Sequence, residues 1–280
     1  MADTTNNHNL KFGIGNAKLA PSIATFSLPA GHTCPFAKEC LSKANIFTGK
    51  IIDGKHCQFR CFAASQECTY SSVRKQRWYN FNILKSAKTV EKMGNVIQSS
   101  IPKGMKTVRV HVSGDYYNET YFLAWLNVAL NNPTILFYGY TKALPHLVKY
   151  KKYIPNNFRL TASKGGTHDH LIKKHNLKYA EVVFSVEEAQ DKGLSIDHDD
   201  GLAMYSDKSF ALLLHGTQPK DSEASKAWQK ILKDGVGGYG EGKTRFQVAS
   251  VPFKVMIDLG KGIKFVPNKT GNRKVSQKSR

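Results

Sequence analysis

The sequence contains no apolar run approaching the roughly 20 residues needed to cross a bilayer. Its opening, MADTTNNHNL, is polar where a secretory segment would be apolar. Both absences point away from membranes and toward the cytoplasm, where disulfides rarely persist. No repeat and no low-complexity linker interrupts the 280 residues. No cysteine follows Cys68, and the five thiols all lie between Cys34 and Cys68. No C-x-x-C occurs among them, which removes the usual dithiol redox pair. Acidic residues are scarce, with 21 Asp and Glu against 41 Lys and Arg, a formal charge of +20. Such an excess makes nucleic acid, or a nucleotide, the natural partner class.

What remains is enough for one core. Apolar residues make up 41% of the chain, and the expected layout is a single domain over 1–265 with a basic flexible tail over 266–280. The cysteine-bearing segment, 28–68, reads mostly as loop. Strands are expected at SIATFSL (22–28) and GKIID (49–53). A helical stretch runs from Phe62 to Ser99, with Val73, Arg77, Phe81 and Leu84 spaced for one face.

From residue 107 a rhythm sets in. Strands TVRVHV, TILFYGY, FRLTAS, AEVVFSV and SFALLLH alternate with short helices, the first of them capped by Asn118. Alternation of this kind means a parallel sheet with right-handed crossovers. No dinucleotide fingerprint follows the first strand. The fold expected is therefore α/β, a partial or complete parallel (β/α) barrel carrying an irregular cysteine-bearing N-terminal segment.

Ligands of parallel α/β folds sit at the carboxyl ends of the strands. Here those ends are polar: Ser113, Gly114 and Asp115; Tyr138, Tyr140, Thr141 and Lys142; Ser163. Asp115 and Lys142 are the candidate catalytic residues, and the others are candidates for cofactor binding. A turn-capping Asp and an exposed Lys are the plainer alternatives. His168, Asp169, His170 and His175 invite a metal, but HDH at a helix start points its two histidines to different faces. IDHDDG (196–201) reads as a solvated acidic turn, or less plainly as a cation loop. GGYGEGKT (237–244) fits the P-loop pattern and VMID (255–258) mimics a second nucleotide-site strand. The flanking elements are wrong for a phosphate cradle, which needs a strand before and a helix after.

The thiols themselves leave zinc, an iron–sulfur cluster and inert burial open; only Cys57 and Cys61 have zinc-like spacing. Here FSLPAGHTCPFAKECLSKA followed by FRCFAAS, then HVSGD with Tyr116 and Tyr117, then FYGYTK, resembles the tailed-bacteriophage family named for gene product eighty-eight. That family is in turn similar to radical S-adenosylmethionine-like phage proteins. The resemblance covers roughly residues 10–215. It implies a phage-encoded protein of the host cytoplasm, with a [4Fe–4S] cluster on Cys34, Cys40 and Cys61 and S-adenosyl-L-methionine at the strand ends. Phe62 stands where the family has Tyr, and the spacing departs from the compact C-x₃-C-x₂-C. The alternative is a non-catalytic phage protein that binds nucleic acid and uses a zinc or iron–sulfur site only for structure.

Overall fold

The structure, a computed structural model, describes residues 9–16 and 19–236. The glycine-rich 237–244 stretch, the strand-like VMID at 255–258, the expected domain limit at 265 and the expected tail over 266–280 lie outside the described residues.

The chain begins with β1 (Gly13–Ile14) and β2 (Ile23–Ser27), then forms a separate hairpin from β3 (Ser42–Ala44) and β4 (Ile51–Asp53). Three helices follow: α1 (Phe62–Thr69), α2 (Ser71–Ser86) and α3 (Val90–Ser100). The expected helical stretch is thus present, broken at Tyr70 and again before Thr89, whose side chain caps α3. The alternating part runs β5 (Thr107–Ser113), α4 (Glu119–Asn131), β6 (Leu136–Thr141), α5 (Leu144–Tyr150), β7 (Phe158–Ser163) and α6 (His170–Lys174). It continues with β8 (Tyr179–Val183), α7 (Val186–Asp191), β9 (Ser195–Ile196), α8 (Gly201–Tyr205), β10 (Phe210–Leu213) and α9 (Glu223–Lys233). Local chemistry sets several of these helix starts. Asn118 accepts from the Tyr121 amide at 2.8 Å, and Ser185 and Ser222 do the same for α7 and α9.

The result is a mixed α/β protein with a mostly parallel eight-stranded sheet of order β1-β2-β5-β6-β7-β8-β10-β9. Only β1 pairs antiparallel. Among the described residues the order rises without reversal from β2 to β10 and turns back only at the two-residue β9 on the edge, and every neighbouring pair from β2 to β9 is parallel. All these strands therefore send their carboxyl ends to one edge.

One face of the sheet packs on helices. Phe26, Val108, Val110 and Phe137 meet Phe122 and Trp125 of α4 and Met93 and Ile97 of α3. The other face holds Ile23, Leu136, Tyr138, Ala180 and Phe210 against Ala203 and Met204 of α8. Burial on both sides explains why these strands read as near-continuous apolar runs.

Two details depart from the sequence pattern. In α2 the buried residues are Arg74, Arg77, Asn80 and Leu84, so of the expected face of Val73, Arg77, Phe81 and Leu84 only Arg77 and Leu84 are buried. The buried face meets backbone carbonyls of other segments. Asn80 donates to Lys11 O and Ser27 O, and Arg77 to Ala63 O. In β5 the register with β2 shifts after Phe26, so that Ser27 pairs with Ser113. The bulge turns buried His111 toward α4, where its Nε2 lies 2.8 Å from the Tyr121 hydroxyl.

β5 and β6 approach closely at Gly139. A Cβ built there would stand 1.5 Å from Val110 O. Gly139→Ala is expected to force these strands apart and cost about 2–3 kcal/mol in urea denaturation. A cost near zero would mean that the two strands part easily.

Candidate functional site

The polar edge of the sheet is built around Asp115, which follows β5 and is 5% exposed. Its Oδ1 accepts from the Tyr116 amide and the Thr141 hydroxyl, both at 2.7 Å, and its Oδ2 accepts from the Lys142 amide at 2.8 Å. The carboxylate therefore ties the end of β5 to the end of β6. Burial raises its pKa, and the three hydrogen bonds and the Lys142 charge pull back without restoring the usual value. Lys142 turns its ammonium to the next strand end, donating to Ser163 Oγ at 2.7 Å, Ser163 O at 3.3 Å and Lys164 O at 2.6 Å. Asp115, Thr141, Lys142 and Ser163 thus form one continuous rim across three strands.

Ser113 and Gly114 join that rim to the cysteine loop. The Ser113 hydroxyl donates to Leu28 O at 2.8 Å. Gly114 has φ +86°, and a Cβ there would lie 2.6 Å from Thr33 Oγ1 and 2.7 Å from Leu28 Cβ. Only glycine permits so close a passage of the loop that leads into Cys34.

The loop then crosses the rim. Ala37 bridges Gly166, the Lys38 and Glu39 amides donate to Gly165 O, and the Thr167 amide donates to Phe36 O. Cys61 is the residue before α1, and the Phe62 ring lies 4.6 Å from the His215 ring beyond β10. Gln218 clasps the same segment, accepting from the Arg60 amide at 2.8 Å.

All five thiols are free, and three of them share one electrostatic neighbourhood. Burial pushes the Cys34 thiol well up, and the charges of Asp115, Cys61 and Cys40 push it further. Burial and then Cys40 take Cys61 up to about 11, against hydrogen bonds with the backbone at Ala64 and Ala63. Cys68 stands apart. Burial and Glu67 raise it, and no cysteine is among the charges acting most on it. Cys57 is raised chiefly by burial. It donates to Phe59 O at 3.0 Å and lies 3.3 Å from Ser42 Oγ, although it also feels Cys40. Among the described residues no three His, Cys, Asp or Glu stand close enough to hold a single metal ion.

Beneath the thiols lies a residue that no motif announced. Glu67 of α1 is fully buried. Its Oε1 accepts from the Ala30 amide and from Arg77 Nη1, both at 2.8 Å, with Ser113 Oγ at 3.4 Å. One carboxylate oxygen thereby fastens the loop before Cys34, the helix after Cys61 and the end of β5. The other, Oε2, is buried with no hydrogen-bond partner.

Tyr138 and Tyr140 face elsewhere. Their hydroxyls donate to Asp200 at 3.1 and 3.0 Å, and Arg109 pairs with the same carboxylate at 2.7 Å. Thr25, Arg109, Tyr138 and Arg159 are register partners, so a polar row crosses the middle of the sheet. This corrects the reading of IDHDDG as a solvated turn. Asp200 is fully buried and Asp197 is 5% exposed, because the sheet's own cations and hydroxyls require a counter-charge. Asp197 accepts from the Ala203 amide at the start of α8. In the HDH segment the carboxylate serves the local turn. Asp169 is spent on the Gly165 and Gly166 amides at 2.7 and 2.9 Å.

His111 offers a pH handle. Burial lowers its pKa to about 3, while the unfolded chain takes up the proton near 6.5. Its contribution to stability is complete above pH 6.5 and is lost as pH falls toward 3, at up to about 1.4 kcal/mol per unit. His111→Gln is expected to flatten the stability–pH profile over that window. An unchanged slope would exonerate His111.

No helix among the described residues is long and apolar enough to cross a membrane. No solved structure matches the chain. Gene 88 protein of Mycobacterium phage L5 is 27% identical over 145 residues, which is 48% of this chain and about half, 53%, of that relative. Residues 3–230 match the family described as Gene product 88. The chain belongs to this bacteriophage gene product 88 family.

Proposed function

We propose that the chain is a radical S-adenosylmethionine-like iron–sulfur protein, with a [4Fe–4S] cluster on Cys34, Cys40 and Cys61 and S-adenosyl-L-methionine on the adjacent rim. The observation that carries this reading is the electrostatic influence of Asp115, Cys61 and Cys40 on the Cys34 thiol, in a loop that crosses the carboxyl edge of a mostly parallel sheet. A one-way strand order is what a partial (β/α) barrel requires. The donor set suits a cluster better than zinc. A structural zinc closes its tetrahedron with four protein ligands, whereas thiolates contributed by loops at irregular spacing suit an iron–sulfur cluster, and three of them leave one iron open.

Such a cluster and cofactor together would supply one-electron reductive chemistry. The chain's own part is positional. The buried thiols must surrender protons on metal loading. Asp115 holds two strand ends in register and sets negative charge beside Cys34. Lys142, Thr141, Ser163 and Gly114 shape the rim on which a cofactor's polar groups would lie. Tyr138 and Tyr140 act from below, by fixing Asp200.

The test is anaerobic purification with iron and sulfide analysis, then EPR of the dithionite-reduced protein with and without S-adenosylmethionine. About four irons per chain and a spectrum altered by the cofactor are expected. Zinc alone, or iron with no cofactor response, would overturn the reading and leave a metal-stapled binding protein. The +20 charge favours nucleic acid as the partner in either case.

A further inference from the structure

The β3–β4 hairpin is joined to the cysteine loop, and its tip is held stiffly in solvent. Asn45 Oδ1 accepts from the Phe47 and Thr48 amides, both at 2.9 Å, and the Asn45 amide donates to Lys50 O at 2.8 Å. Arg74 of α2 braces the turn from below, donating to Ile46 O at 3.2 Å and packing against Gly49. On this braced turn Phe47 is 86% exposed, flanked by exposed Ile46 and Ile52.

The hairpin has two distinct faces. Ser42 and Ala44 point inward and are buried. Lys43 lies opposite Ile52, and Lys50, two residues before Ile52, shares that outer face. Lys55 follows just beyond and is also exposed. None of these three ammonium groups is in an ion pair among the described residues, whereas the hairpin's acid, Asp53, is taken by Arg60 at 2.8 Å.

The hairpin is also coupled to the site. His32 Nε2 lies 2.8 Å from Ala44 O, and the Cys57 thiol lies against Ser42 Oγ at 3.3 Å.

An aromatic ring held out on a rigid turn among uncompensated lysines is the arrangement that stacks a base and follows a phosphate backbone. We infer that the β3–β4 hairpin binds single-stranded nucleic acid, with Phe47 stacking on a base and Lys43 and Lys50 on flanking phosphates. The inference deepens the proposed function by assigning a partner surface next to the cysteine site. It relies on that reading only for the chemistry nearby.

The experiment is fluorescence anisotropy of the full chain with a labelled oligothymidylate of about twelve nucleotides, and with a duplex of the same length. Wild-type protein is expected to prefer the single strand. Phe47→Ala should weaken single-strand binding roughly 5- to 100-fold, with duplex binding and thermal melt unchanged. Phe47→Trp should restore affinity and show fluorescence quenching on binding. Lys43→Gln with Lys50→Gln should lower the salt slope by about 1.4. Wild-type affinity in Phe47→Ala would overturn the inference, because other basic segments would then carry the binding. Lack of single-strand binding by wild type, or an equal preference for duplex, would overturn it as well. Metal content does not enter this assay, so failure here leaves the iron and EPR test standing on its own.

Discussion

Cys34→Ser is expected to abolish iron loading and cofactor response while leaving a folded protein. Iron per chain should fall from about four to near zero, since a cluster on three thiolates does not persist on two. The apo protein should lose about 1–3 kcal/mol, the cost of setting a hydroxyl where a buried thiol stood. Cys40→Ser and Cys61→Ser should behave alike. Cys68→Ser should keep its iron, since that thiol answers to Glu67 and Arg74 rather than to other cysteines. Cys57→Ser should keep it too, as a hydroxyl can still donate to Phe59 O. Colorimetric iron and sulfide with EPR on all five variants decides the matter. Full iron in Cys34→Ser, or none in Cys68→Ser, would sink the assignment of ligands.

Glu67→Ala is expected to be the most destabilising single change in the site, at about 3–5 kcal/mol, the usual cost of removing one partner from a buried ion pair. The arginine left behind, Arg77, is 4% exposed and keeps only Ala63 O and Gln66 Oε1. The Ala30 amide is orphaned at the same time. The damage reaches the cysteine loop because Ala30, Arg77 and Ser113 meet at this one side chain. Urea denaturation gives the stability. Iron content of the variant under folding conditions gives the effect on the ligand loop. A loss below about 1 kcal/mol would show that the loop is seated by other contacts.

The alternation of strands and helices was legible because its causes are local. β-Branched runs such as TVRVHV, and caps such as Asn118, need no distant partner to be recognised. The three proposed ligand thiols were singled out only through a family likeness, since their spacing fits no compact metal motif. Glu67 was not legible, Arg77 was read only as one position of a helical face, and Asp200 only as part of an acidic turn. A charged residue signals solvent unless its partner is known, and Asp200 finds Arg109 from a distant strand while Glu67 reaches Ser113. One clue was available. Arg109, Tyr138 and Tyr140 lie inside apolar parallel strands, and polar groups so placed demand a buried counter-charge. IDHDDG was the acidic segment able to supply it. The hairpin was half visible, as GKIID, but its separation from the main sheet depends on how the cysteine loop is seated.

That seating has a consequence for synthesis. The cysteine segment is complete by residue 68, yet its clasps are Thr167, bonded to Phe36, and Gln218, bonded to Arg60. At 5–20 residues per second, roughly 150 further residues occupy about 8–30 s of translation. Through that interval the nascent chain carries its thiols without their finished seat. On the proposed reading, metal insertion would be a late event in the life of the polypeptide, and yield in a heterologous host should depend on how reducing its cytosol stays while ribosomes are still at work.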